Sequence, residues 1–206
     1  MSTLYIVGIG PGSEEYLTEK AKNTVKSVEA VIGSKRALDL FEIEVQIFEL
    51  NAKNMEDLLK QSIVMVKEGK NVALLSTGDP GFSGILKPIM DLNQDIDIEV
   101  IPGISSVQLC AAKLKIPWDE ANLITMHGKG VSKGILDIID NGNPTIILPN
   151  FKPAELADFL MENGFNKERK AAICERLSYD DEKIIETSLK DISKMEFSYM
   201  CVMVVY

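Results

Sequence analysis

Short runs of β-branched and aliphatic residues alternate along the chain with longer stretches whose apolar positions recur every three or four residues. Residues 4–9, 30–32, 45–48, 72–76 and 96–101 read as strands, with helical segments between them. That alternation predicts a parallel α/β sheet. The clearest helix opens at Asn54, a residue type suited to an N-cap, and carries Asp57 in its first turn. Met55, Leu58, Leu59, Ser62, Ile63 and Val66 fall on one face before Gly69 ends it. Residues 102–115 read as a further helix, with Ser105, Ser106, Ala111 and Ala112 small enough for close packing. Ile116-Pro117-Trp118 then breaks the pattern.

A domain boundary is placed at residues 114–119, where a proline ends a helix and the strand–helix alternation restarts. This gives an N-terminal α/β domain over 1–114 and a C-terminal α/β domain over 119–206. In the second, residues 123–126, 145–148, 171–174, 183–186 and 199–205 read as strands, and 133–139 and 153–162 as helices, the latter with Pro153 at its first position and Gly164 past its end. Three strands follow the last long helix on short connections, which implies antiparallel pairing. The first sheet is therefore expected to be mainly parallel and the second mixed.

Length and composition set limits on this picture. A chain of 206 residues, 46% hydrophobic and 26% charged, can bury a substantial core and excludes collagen-like and disordered classes. The first apolar run lacks the basic flank and length of a signal peptide, and no stretch nears the roughly 20 apolar residues of a spanning helix, so a cytoplasmic protein without membrane contact is expected. A net charge of −9 argues against nucleic acid as a partner. Cys110, Cys174 and Cys201 are widely spaced among apolar neighbours and read as buried free thiols; with a single histidine, His127, there is no metal motif.

Three glycine-bearing turns leave three strand ends: Gly8-Ile9-Gly10-Pro11-Gly12 after the first, Ser76-Thr77-Gly78-Asp79-Pro80-Gly81-Phe82-Ser83-Gly84 after the fourth, and Pro102-Gly103-Ile104-Ser105-Ser106 after the fifth. Ligands of open α/β sheets gather at the carboxyl ends of strands, so turns at three such ends can line one crevice. The first turn invites a dinucleotide reading, but Ser13 stands where the third glycine belongs. Gly33-Ser34 stands where the ribose-binding acid belongs. His127-Gly128-Lys129-Gly130 lacks the flanking glycine and the Ser or Thr of a P-loop. A single histidine after a polar loop does not make a hydrolase triad. For His127, a loop histidine bonded to backbone stands beside a substrate-contacting or proton-handling role.

The three turns, in their order and spacing, resemble those of the tetrapyrrole methylases, and the resemblance spans the whole chain. It implies two α/β domains with S-adenosylmethionine (SAM) folded in the cleft between them, and methylation of a ring carbon of a uroporphyrinogen-derived macrocycle. Gly33 to Phe41, Gly78 to Gly84, Met126-His127-Gly128-Lys129 and Glu175 to Glu182 point within the family to C5 of a cobalt-precorrin in cobalamin biosynthesis. In the last segment Asp180 replaces a usual proline and Arg176 a common asparagine. Alternatives are another corrin carbon, the modified histidine of a translation factor, or a SAM-binding sensor that catalyses nothing.

Carried over by resemblance, cofactor contacts fall on Pro11, Gly78, Asp79, Phe82, Ser105, Ser106, Leu148 and Leu177. Asp79 suits the ammonium or ribose and favours a sulfonium. The substrate implied carries many carboxylates, which makes Lys35, Arg36, Lys129 and Arg176 the expected clamps. No obvious general base is present, in keeping with a nucleophilic carbon that needs none; His127 is the candidate catalytic residue. The resemblance also implies a homodimer.

Overall fold

The computed structural model describes residues 2–92, 95–126, 133–150 and 152–206. By backbone contact the chain divides into Met1–Ser105 and Ser106–Tyr206.

In the first unit the elements run β1 (Thr3–Gly8), α1 (Glu19–Lys26), β2 (Ala30–Gly33), α2 (Lys35–Leu38), β3 (Gln46–Glu49), α3 (Met55–Lys67), β4 (Val72–Ser76), α4 (Leu86–Asp91) and β5 (Asp97–Ile101). The strands form one five-stranded sheet in the order β3-β2-β4-β1-β5, parallel throughout. Alternate residues feed two cores. Leu4, Ile6, Ile32 and Leu74 pack with Leu58, Leu59 and Val66 of α3, while Val7, Val31, Ala73 and Leu75 pack with Ala21 and Val25 of α1. Burial on both faces explains why these strands read as unbroken apolar runs.

The second unit runs α5 (Ser106–Leu114), β6 (Asn122–Thr125), α6 (Leu136–Ile139), β7 (Thr145–Leu148), α7 (Pro153–Glu162), β8 (Lys170–Glu175), β9 (Lys183–Ser188), α8 (Leu189–Ile192) and β10 (Cys201–Val205). Its sheet has the order β6-β7-β10-β8-β9. The β6–β7 pair is parallel and the others antiparallel. The mixed sheet expected from the short connections is present, with the last strand inserted at its centre. Cys110 and Cys174 are buried free thiols with sulfurs 3.4 Å apart, and burial pushes Cys201 up to about 12.

Three details differ from the sequence reading. Residues 102–105 lie outside the helix, which begins at Ser106. That helix contacts β7 and β10, which places the division between units ahead of it rather than at 114–119. Asn54 makes no side-chain cap: its Oδ1 accepts from the Asn51 N–H at 2.8 Å and its amide donates to the Glu49 carbonyl, so it closes the preceding turn instead. Met55, the first residue of α3, is exposed, and Met65 takes its place in the buried stripe.

Candidate functional site

Because β4, β1 and β5 are neighbours and parallel, the turns that follow them leave one edge of the first sheet side by side. The first and second turns are stitched by backbone. The Ile9 N–H donates to the Ser76 carbonyl at 3.0 Å, and Gly10 and Gly78 exchange N–H···O bonds of 3.3 and 2.8 Å as an isolated antiparallel bridge. Gly10 and Gly78 have φ of +75° and +68°, the left-handed region that favours glycine. Gly8 and Gly103 are held to glycine by space. A Cβ on Gly8 would lie 2.5 Å from the Gly103 nitrogen, and one on Gly103 would lie 2.3 Å from the Gly78 oxygen. All three turns thus meet backbone against backbone.

Among the residues assigned to the cofactor, the structure brings Pro11, Gly78, Asp79, Phe82 and Ser105 onto these turns. Pro11, Gly78 and Ser105 are buried, and Asp79 and Phe82 are half-buried. The Asp79 carboxylate accepts from the Gly81 N–H at 2.8 Å through Oδ1 and from the Gly103 N–H at 3.1 Å through Oδ2. No Lys or Arg stands in segments 9–13, 77–84 or 102–106, and Asp79 is their one carboxylate. Such a set of acceptors suits a ligand with positive charge rather than a phosphate. The first turn adds to this. It runs into a 3-10 turn, Glu14–Tyr16, with two acids, and α1 starts only at Glu19, so no helix N-terminus is presented to an anion there.

At the end of β2, Lys35 and Arg36 open α2. The Lys35 ammonium is bonded to both oxygens of Asp39 at 3.0 and 2.9 Å, and the Asp39 hydrogen bond and charge hold its pKa above the ordinary value. Arg36 reaches the second turn, its guanidinium donating to the Thr77 hydroxyl at 3.3 Å. The sequence gives no sign of that link, since the partners are 41 positions apart.

In the second unit β6, β7 and β8 end at the same sheet edge, because β10 runs antiparallel between β7 and β8. Leu148 closes β7 there, half-buried, and Leu177 is buried just after β8. Ser106 begins α5. Arg176 and Ser178 take left-handed backbone, φ +47° and +73°. Arginine resists that conformation more than asparagine does, so the replacement noted in the sequence falls where it is costly. The Arg176 N–H donates to the Met200 carbonyl at 2.8 Å. Its Nε donates to both oxygens of Asp181 at 2.7 and 2.6 Å, and its guanidinium lies 4.7 Å from the Tyr179 ring centre. The Arg176 hydrogen bond holds Asp181 below the usual carboxylate range.

Glu182 closes the same loop, accepting from the Ser178 N–H at 2.9 Å and pairing with Lys113 of α5 at 2.6 Å. Burial pushes its carboxyl up, but these two partners outweigh burial and leave it lowered. Buried Glu175, not singled out in the sequence, accepts from the Ser198 N–H. His127 and Lys129 lie outside the described residues. Among the described residues no helix is long and apolar enough to cross a membrane.

Residues 3–193 match the family model of the tetrapyrrole (corrin/porphyrin) methylases. A probable cobalt-precorrin-7 C(5)-methyltransferase of Methanocaldococcus jannaschii is 47% identical over 204 residues, 98% of this chain and 96% of that protein. The crystal structure of the precorrin-6Y methylase of Archaeoglobus fulgidus superposes with a TM-score of 0.78 at 25% identity, covering 98% of this chain and 96% of that one. A uroporphyrin-III C-methyltransferase of Thermus thermophilus, complexed with S-adenosylhomocysteine, gives 0.81 at 20% identity, covering 99% and 92%, a likeness of fold.

Proposed function

This chain belongs to the tetrapyrrole methylase family, and from that premise we propose that it methylates C5 of cobalt-precorrin-7 in cobalamin biosynthesis. It is a SAM-dependent C-methyltransferase. What carries the choice of substrate is the 47% identity, spread over 98% of the chain, to a protein of that name. SAM, when bound, supplies an electrophilic methyl group that needs no further activation. The protein's part is to hold. Pro11, Gly78, Asp79, Phe82 and Ser105 bind the cofactor on the three turns, and Ser106, Leu148 and Leu177 are the other cofactor contacts that the family resemblance implies. Fixing the nucleophilic carbon in line with the methyl contributes up to about 7–11 kcal/mol for ideal orientation. Lys35, Arg36, Lys129 and Arg176 hold substrate carboxylates, and His127 is the one candidate for handling a proton. A cytoplasmic homodimer accompanies this reading.

The test is incubation with SAM carrying a labelled methyl and with cobalt-precorrin-7, followed by mass spectrometry and NMR of the product. One labelled methyl at C5 is the expected result. Label on another ring carbon would move the protein to a different step, and no transfer with tight SAM binding would make it a sensor. Calorimetry should likewise give heat with SAM and S-adenosylhomocysteine and none with NAD, since Ser13, Gly33 and the acidic 3-10 turn all oppose a dinucleotide.

Arg176 yields a second expectation. Asp181 engages the Arg176 Nε through both oxygens, so a substrate carboxylate must compete with an internal one. Asp181→Asn should therefore lower KM for the precorrin by about two- to fivefold, the modest effect of an exposed pair, and leave SAM affinity unchanged. Asp180→Asn removes an equal charge next door without touching Arg176 and should do less. Equal KM values for both variants and the wild type would take Arg176 out of the clamp.

A further inference from the structure

We propose that Asp79 acts as a positioning residue: its carboxylate ties the second strand-end turn to the third, and the cofactor depends on it through the shape of those turns. The inference rests on the reading that the turns hold SAM, and it gives Asp79 a different part from the direct ligand contact assigned above.

Both carboxylate oxygens are engaged by main chain. Oδ1 accepts from the Gly81 N–H two residues on, at 2.8 Å, which closes Asp79-Pro80-Gly81 into a tight turn. Oδ2 accepts from the Gly103 N–H, 24 residues away, at 3.1 Å. The first of these sets the second turn's own shape. The second spans to the turn after β5, where Gly103 lies against Gly8 and Gly78 with no room for a side chain. The first and second turns are already joined by the Gly10–Gly78 bridge. Asp79 thus extends a joined pair of turns to the third. The bonds are charge-assisted, with an anion receiving two N–H groups, and are stronger than neutral ones. An amide at this position could accept from one N–H but would turn its own NH2 toward the other.

A direct contact and a positioning role make different demands on the ligand. If Asp79 touched the ammonium or a ribose hydroxyl, deleting that group from the ligand would cancel the effect of the mutation. If it shapes the turns, the loss is the same whichever group is deleted. Binding would be measured by calorimetry for S-adenosylhomocysteine, its 2′-deoxy and 3′-deoxy forms, and 5′-methylthioadenosine, which lacks the amino-acid portion. Asp79→Ala should weaken all four by the same factor, roughly ten- to hundredfold. Asp79→Asn, which keeps the volume, serves if the alanine variant does not fold, and it should show the same uniform loss. Faster amide hydrogen exchange at Gly81 and Gly103 in either variant should accompany it. A loss that disappears with one analogue, or unchanged affinity in a folded variant, overturns the proposal. Failure of the wild type to bind S-adenosylhomocysteine would instead overturn the reading of the site.

Discussion

Gly103→Ala is expected to lower SAM affinity on the order of a hundredfold and to destabilise the protein by about 1–3 kcal/mol. The new Cβ would lie 2.3 Å from the Gly78 oxygen, 2.7 Å from the Gly8 carbonyl carbon and 2.9 Å from the Gly8 Cα. Every one of these is backbone, so no rotamer change relieves the overlap. The third turn must retreat by about 1 Å to restore ordinary contact, and a displacement of that size at a positioned site is what costs two orders of magnitude. It also draws the Gly103 N–H away from Asp79, which accepts from it at 3.1 Å. Gly8→Ala meets the same contact from the other side, 2.5 Å from the Gly103 nitrogen. The double variant should therefore cost much less than the sum of the two, because one retreat accommodates both methyl groups. Calorimetric titration with SAM and thermal unfolding check the effect. Wild-type affinity and an unchanged Tm in Gly103→Ala would mean the turns do not meet as described.

The inner strands β1, β2 and β4 of the first unit were legible because a parallel sheet buried on both faces demands continuous apolar runs, and Val72–Ser76 has the expected bounds. The three turns were legible for a similar reason: glycine and proline mark places where side chains do not fit or φ is special. The pairing of the turns was open to inference from the fold class, since β1, β4 and β5 end at one edge in a sheet of this type. What joins them was not. That Asp79 bonds Gly103, or that Arg36 reaches Thr77, depends on strand order and register, which hydrophobic spacing does not encode. The helix at 106–114 shows a different limit. Its composition announced a helix, but Pro102-Gly103 could as well open it as precede it, and only the contacts with β7 and β10 assign it to the second unit.

Arg169 marks the far end of that limit, since nothing in its sequence surroundings distinguishes it from a surface charge, and yet Arg169→Ala should destabilise the second unit by about 2–4 kcal/mol. Its Nε donates to the Tyr206 carbonyl at 2.7 Å, one terminal nitrogen to the Ile139 carbonyl at 2.7 Å, and the other to Asp140 at 3.1 Å, with the guanidinium 4.9 Å from the Phe165 ring centre. The Ile139 carbonyl belongs to the last turn of α6, where helix carbonyls have no partner of their own. The side chain thereby staples the end of α6 to the start of β8 and to the residue after β10. The two carbonyl bonds carry the effect, because Asp140 is 74% exposed and its attraction is screened. Asp140→Asn should accordingly change stability little. Arg169→Lys keeps the charge but loses the planar fork, and one ammonium does not span carbonyls that approach from separate elements; it should recover less than half of the loss. Urea unfolding of the four proteins gives the ranking, wild type and Asp140→Asn together, then lysine, then alanine. Lysine equal to wild type would show that charge alone, rather than the geometry of the fork, holds these segments.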